Sequence, residues 1–218
     1  MKPQDTMQTG IRPSSPEARI AAVILAGGLS SRMGGGDKCL LALKGQPILN
    51  HVIARISPQV EEVILNANGD PARFNHFGLP VVADSIAGFA GPLAGVLAGL
   101  DWAAEKGFSH VVSVAADSPF FPPRLVKGLQ FACEASHEPL SMVHSPRPDG
   151  GYFRQPTFAL YDVSMRAHLR MALENGVRKV IQWIEPLGCA HIVFDGFGED
   201  PFFNINTPED LKRAEAMV

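Results

Sequence analysis

The segment LAGGLSSRMGGGDK, residues 25–38, combines what a site for a polyanion needs. Leu25, Ala26, Gly27 and Gly28 end and follow a continuous apolar run, IAAVIL at 20–25. Glycines directly after a buried strand let the backbone approach a ligand and turn N–H groups toward anionic oxygens. Arg32 and Lys38 stand further along the same loop and can neutralise a triphosphate. The spacing lacks both the Gly-Lys-Ser/Thr of a P-loop and the GxGxxG of a dinucleotide-binding turn. A glycine-rich turn alone is ordinary turn chemistry. Two cations inside it point to phosphate.

Asp117 is the second chemical residue, because the apolar stretch HVVSVAA at 110–116 leads into it. A carboxylate at the exit of a buried strand is costly to leave unpaired, and a divalent cation is a natural partner. Magnesium takes oxygen ligands and keeps several waters while bridging substrate phosphates, so one protein carboxylate suffices. Asn66 follows EEVIL at 61–65 and offers both a donor and an acceptor. Asp84 follows VVA at 81–83 and can accept from ribose hydroxyls or base N–H groups. Asn204 or Asn206 could give a second contact to a metal or to phosphate. Each residue also has a plain structural alternative. Asn66 would close its strand, Asp84 would cap the loop before Pro92, Asp117 would cap a helix beyond Pro122, and the two asparagines would form a polar turn.

These residues need a scaffold that gathers them. Buried strands are expected at 20–25, 61–65, 81–83, 110–115, 140–144, 157–160 and 191–194, from short apolar runs bounded by polar or turn residues. Helices are expected at 48–57, 92–106, 122–136, 163–174 and 177–184. Pro92 suits a first helical turn and Gly107 a cap. Thr207, Pro208, Glu209 and Asp210 open a terminal helix with a hydroxyl cap, a proline and acids in the first turn. Residues 145–154, SPRPDGGYFR, read as a mobile surface loop. Alternating strands and helices imply βαβ units and a mostly parallel sheet covered on both faces. The polar motifs then all fall at strand C-terminal ends, where open α/β sheets bind ligands.

Composition sets the outer bounds. The 218 residues fit one domain, here 20–218, preceded by a leader at 1–19 expected to be disordered. A formal charge of −3 argues against a general attraction to nucleic acid. Cys39, Cys133 and Cys189 are odd in number and far apart, which favours a reducing compartment over a disulfide framework. No apolar run is long enough to span a membrane, and the leader lacks a signal peptide's features, so a cytoplasmic location is expected. The 7 histidines show no metal-ligand spacing, and Trp183 with Ile181 and Ile184 reads as core.

Taken together, these motifs resemble a known family. Leu25-Ala26-Gly27-Gly28 with Ser31-Arg32-Met33-Gly34 and Asp37-Lys38 is similar to the signature loop of nucleotidyltransferases acting on sugar phosphates, isoprenoid precursors and molybdopterin. Asn66-Ala67-Asn68, Asp84 with Gly91-Pro92-Leu93-Ala94-Gly95, Asp117-Ser118-Pro119 and Asn204-Ile205-Asn206-Thr207-Pro208 resemble the molybdenum cofactor guanylyltransferases within that superfamily. The resemblance implies a three-layer α/β/α, Rossmann-like nucleotidyltransferase fold and magnesium-dependent transfer of GMP from GTP to the phosphate of molybdopterin. It implies that backbone groups of Leu25, Ala26 and Gly27 lie against the guanine, that Gly28 also binds the nucleotide, and that Asn66 and Asp84 seat the nucleoside. It implies that Arg32, Lys38 and Asp117 act on the triphosphate, and that Asp117 with Asn204 or Asn206 meets Mg2+. Arg154 and Gln155 are candidates for the pterin. Transient contacts with cofactor-insertion and molybdoenzyme-maturation proteins, and a monomeric state, are further expectations. Two rivals stand beside this reading: a CTP-dependent enzyme or other nucleotidyltransferase on a small phosphate acceptor, and a noncatalytic nucleotide-binding maturation factor.

Overall fold

A computed structural model describes residues 18–27, 37–86, 88, 91–147, 149–195 and 200–218. Gly28, Arg32 and nearly all of the expected leader therefore lie outside the described residues. The first apolar run forms strand β1, Ile20–Leu25, and it is buried because it runs through the middle of a sheet. Its alternation serves two cores. Ala22 and Ile24 point to one face of the sheet, Ala21 and Val23 to the other.

Past the loop, a tight hairpin joins β2, Ala42–Leu43, to β3, Gln46–Pro47. Lys44 (φ 50°) and Gly45 (φ 80°) make the left-handed turn such a short connection requires. Helix α1, Ile48–Ile56, buries Ile48, Leu49, Val52 and Ile56 on one side. Strands β4, Glu62–Asn66, and β5, Val81–Val82, follow, separated by a 3-10 helix at Pro71–Phe77. Helix α2, Pro92–Glu105, starts on a proline after Gly91. It lies so close to the sheet that a Cβ on Gly99 would come within 2.9 Å of Val23.

Strand β6, His110–Ala115, leads to α3, Leu125–Ser136, and then to β7, Leu140–Pro146, and β8, Tyr152–Asp162. Helices α4, Arg166–Glu174, and α5, Val180–Ile184, strand β9, Ala190–Val193, and helix α6, Pro208–Met217, complete the order. The seven-stranded sheet runs β5-β4-β1-β6-β8-β7-β9. β8 is antiparallel to both neighbours, and the other pairings are parallel. Residues of α1 and α3 pack on one face, and residues of α2, α4 and α5 on the other, giving the three expected layers. Trp183 is in the second core, 2% exposed.

One expectation is corrected outright. Residues 145–154 are not a mobile loop: Ser145 and Pro146 belong to β7, and Tyr152 to Arg154 belong to β8. Cross-strand pairing, Ser145 with Phe153 and Pro146 with Tyr152, offsets the turn residues that lack any apolar periodicity. The ladder is irregular instead at Pro156 to Phe158, where pairing jumps from Val143–Gln155 to Met142–Ala159. Proline has no N–H to offer a ladder, so a bulge there is the expected accommodation. Smaller shifts concern helix starts. The expected helix at 122–136 begins only at Leu125. The one at 177–184 begins at Val180, because Gly176 (φ 89°) has already turned the chain. The one at 163–174 opens with a 3-10 turn at Val163–Met165 before α4. Thr207 is the expected hydroxyl cap on α6, and Asp210 returns the bond to make the cap reciprocal.

Among the described residues, no helix is long and apolar enough to cross a membrane.

Candidate active site

Three parallel strands stop at one edge. Leu25 of β1 is in register with Asn66 of β4 on one side and Ala115 of β6 on the other. Because parallel strands end together, whatever follows each is delivered to the same place. That place is a cavity of about 920 Å³, in the range of small-molecule sites. Leu25, Gly27, Asn66, Asp84, Asp117 and Asn204 all line it. The ladders run one residue past the strands. The Ala26 N–H donates to the Asn66 carbonyl (2.9 Å), and the Ala116 N–H donates to the Leu25 carbonyl (3.2 Å). A Cβ added to Gly27 would meet nothing within 4 Å, so its backbone faces open space.

At one end of the cavity, amides and a carboxylate form a closed set. Asn66, 4% exposed, donates from Nδ2 to Asp84 Oδ1 (3.0 Å) and to the Val82 carbonyl (3.3 Å). Asn68 Nδ2 donates to Asp84 Oδ2 (2.8 Å), and the Asp84 N–H donates back to Asn68 Oδ1 (2.9 Å). Each carboxylate oxygen thus receives one amide and keeps acceptor capacity for a ligand. The N-cap of α2 is Gly91, not Asp84. The seat depends on Gly95, where a Cβ would lie 2.2 Å from Asn66 Oδ1.

At the other end stands a charged cluster. The Lys38 ammonium donates to Asp117 Oδ2 (2.8 Å) and to Asn206 Oδ1 (2.6 Å). The side chains of Lys38 and Asp117 are only 16% and 17% exposed, which strengthens their attraction over that of a surface pair. Asp117 does not cap α3, whose N-cap is Arg124. The Ile205 N–H donates to the Asp117 carbonyl (2.9 Å), which ties the chain before α6 to the end of β6. Asn204 Oδ1 accepts from the buried Ser118 hydroxyl (3.2 Å), while Asn206 carries its amide oxygen toward Lys38. Burial, reinforced by Asp37 and Asp117, pushes the Cys39 thiol up to about 12, so this neighbour of Lys38 stays an uncharged filler.

Of the residues expected from sequence, the fold gathers Leu25, Gly27, Lys38, Asn66, Asp84, Asp117, Asn204 and Asn206 along this edge. Arg154 and Gln155 are not among the cavity's lining residues. Arg154 pairs with Glu185 (2.5 Å), and Gln155 donates to the Ser145 hydroxyl (2.9 Å). Thr157, from the bulge in β8, does reach the cavity. Ser85 and Ile86 line it too and carry no chemical signal in sequence, and Gly91 lines it from the Gly91–Gly95 motif. Among the described residues, no group of three or more His, Cys, Asp or Glu is arranged to hold a metal.

Residues 22–188 match the family model of the MobA-like NTP transferase domain. The chain belongs to this family. The matched span covers Lys38, Asn66, Asp84 and Asp117 and ends before Asn204 and Asn206. A molybdenum cofactor guanylyltransferase of Bradyrhizobium sp. (strain ORS 278) is 46% identical over 208 residues, 94% of this chain and 96% of the relative. The solved molybdopterin-guanine dinucleotide biosynthesis protein A of Archaeoglobus fulgidus superposes with a TM-score of 0.69 at 26% identity, covering 91% of this chain and 97% of that one. A 4-diphosphocytidyl-2C-methyl-D-erythritol synthase from Anaerococcus prevotii shares the fold at 17% identity, with a TM-score of 0.67 over 92% of this chain and 96% of its own. Family membership makes the chain a nucleotidyltransferase.

Proposed function

We propose that this enzyme transfers GMP from GTP to the phosphate of molybdopterin and releases pyrophosphate. The observation that carries the reading is the placement of Lys38, Asp117 and Asn206 at the same strand edge as the Asn66–Asp84 seat. The names of the similar proteins support the choice of base and acceptor. Asp84 supports it chemically, since its two oxygens can accept from paired donors on a nucleoside.

The acceptor phosphate is already an anionic nucleophile, so no base is required to create one. One of its oxygens attacks the α-phosphorus of GTP in line. A new P–O bond forms as the bond to the β-phosphate oxygen breaks, and pyrophosphate leaves with that electron pair. The protein's work is to align two anions and offset their repulsion. Lys38 supplies one positive charge, and Arg32, on the undescribed part of the loop, supplies the second. The backbone of Leu25, Ala26 and Gly27 borders the base.

Asp117 Oδ2 and Asn206 Oδ1 already converge on a single positive charge, the Lys38 ammonium, and hard oxygens so placed fit a magnesium ion. Asp117 and Asn206 would hold it, with Asn204 behind them. When bound, Mg2+ neutralises phosphate charge. The pterin is assigned to the side of the β7–β8 hairpin, where Arg154 and Gln155 would exchange their present partners for it. We assign the reaction to the cytoplasm, to a monomer, and to brief encounters with the proteins that insert the cofactor.

Titration with each nucleoside triphosphate and magnesium tests the base. GTP should bind at least about tenfold tighter than CTP, a difference of ~1.4 kcal/mol. Equal or tighter CTP binding would move the reading to a cytidylyltransferase.

A further inference from the structure

Arg73 lies outside the cavity lining, yet it touches both loops that build the site. It projects from the 3-10 helix Pro71–Phe77, which Asp70 caps by accepting from the Ala72 N–H (2.9 Å). Its guanidinium spans two chain segments. Nε donates to Asp37 Oδ2 (2.6 Å), immediately before Lys38. Nη2 donates to the Asn68 carbonyl (2.7 Å), on the loop that seats Asp84, and Nη1 donates to the Asp70 carbonyl. The flat face of the group rests on Phe74, with its centre 4.5 Å from the ring centroid. Phe74 itself is fully buried in the core. Gly69, at φ 83°, turns the chain between the two accepting carbonyls.

We propose that Arg73 is a positioning residue that fixes the lysine-bearing loop at a set distance from the nucleoside seat. This inference rests on the nucleotidyl-transfer reading of the site. A planar fork held by three acceptors and a ring face has little freedom, unlike a lysine, whose ammonium is a single point charge on a flexible stem. The Asp37 side chain is 14% exposed and adjacent in sequence to Lys38. Without Arg73, that carboxylate is left uncompensated and can recruit the ammonium of its neighbour in sequence, Lys38. Lys38 would then divide its time between Asp37 and Asp117. The Arg73 fork therefore has two separable effects. Its Nε arm keeps Lys38 off Asp37 and governs the chemical step. Its Nη2 arm holds the Asn68 loop and governs nucleotide affinity.

The test measures kcat, the KM for GTP and calorimetric GTP affinity in Arg73→Ala, Arg73→Lys, Asp37→Asn and the double variant Asp37→Asn/Arg73→Ala. Arg73→Ala should lower kcat at least about tenfold and raise the GTP KM several-fold, in line with the cost of small misplacements near a reacting centre. The double variant should recover most of kcat and keep the raised KM, because the stray carboxylate is gone while the Asn68 arm is still missing. Arg73→Lys should keep kcat close to the unmodified enzyme and share the raised KM. A general loss of structure would move both constants together and give no selective rescue. Unchanged kcat in Arg73→Ala, or a double variant no better than the single, would overturn the proposal. If the unmodified enzyme released no pyrophosphate, the transfer reading would fail instead. Calorimetric GTP affinity in Arg73→Ala would then still decide whether the clamp holds the seat.

Discussion

The two halves of the sheet build opposite kinds of surface. In the half formed by β5, β4, β1 and β6, every strand runs the same way, and the residue after each strand lands at one edge. Its polar groups are mutually bonded before any ligand arrives: Asn66 and Asn68 on Asp84, Lys38 on Asp117 and Asn206. In the half formed by β8, β7 and β9, strand β8 runs against its neighbours. Since Ser113 of β6 pairs with Ala159, the part of β8 back to Tyr152 continues past the end of β6 and raises the hairpin beside the cavity. Tyr152 and Phe153 there are 56% and 47% exposed. The parallel edge is thus preorganised, whereas the hairpin end offers surface groups that can change partners. Preorganisation matters most where charge develops in the reaction.

The comparison can be broken or sharpened by substitutions in each half. The largest effects are expected in the charged cluster. Lys38→Ala and Asp117→Ala should each lose ~10²–10³ in kcat while remaining folded, as single electrostatic partners typically do. Steady-state pyrophosphate release with circular dichroism checks this, and near-normal turnover by either variant would refute their roles. Next comes Gly95→Ala. Its methyl must displace Asn66, so nucleotide affinity should drop with a stability loss of about 1–3 kcal/mol. Unaltered GTP binding in a calorimetric titration would show that Asn66 does not seat the nucleoside.

In the other half, Arg154→Ala should raise the KM for the pterin acceptor several-fold and leave GTP affinity within about twofold, since its exposed ion pair is worth little to the fold. A change in GTP affinity instead would undo the division of labour between the halves. The smallest effect concerns acid. His144 and His191 stack with ring centroids 4.6 Å apart, and burial first, then His191 and Arg154, hold the His144 imidazole below its ordinary value. The unfolded chain therefore binds the proton more readily, so stability is complete above about pH 6.5 and declines as pH falls below it. His144→Phe should flatten part of that decline in thermal melts across pH 5–8. An unchanged profile would place the acid sensitivity elsewhere.

The parallel half was largely legible in the sequence because its signals are strong and local. An apolar run followed by Gly27, Asn66, Asp84 or Asp117 marks both a buried strand and what it delivers. His110–Ala115 was read with its bounds intact for that reason. The hairpin was misread because its stability comes from cross-strand pairing between 140–146 and 152–162, which leaves no periodic trace in Pro- and Gly-rich chain. Arg73 was missed differently. Asp70-Pro71 is a readable helix start, but PARFNHF is too short for an apolar stripe, and its contacts with Asp37 and Asn68 exist only in the folded chain. Which of Asn204 and Asn206 turns its amide oxygen to Lys38 is likewise a spatial fact with no trace in the sequence.

The central claim is tested most directly by supplying magnesium, molybdopterin and GTP labelled at the α-phosphorus, and following the label. The account predicts that it passes into a pterin product carrying GMP, with one pyrophosphate per transfer, and that Asp117→Ala slows the transfer ~10²–10³-fold. Label remaining in GTP while the nucleotide binds tightly would contradict it and leave a binding protein in its place.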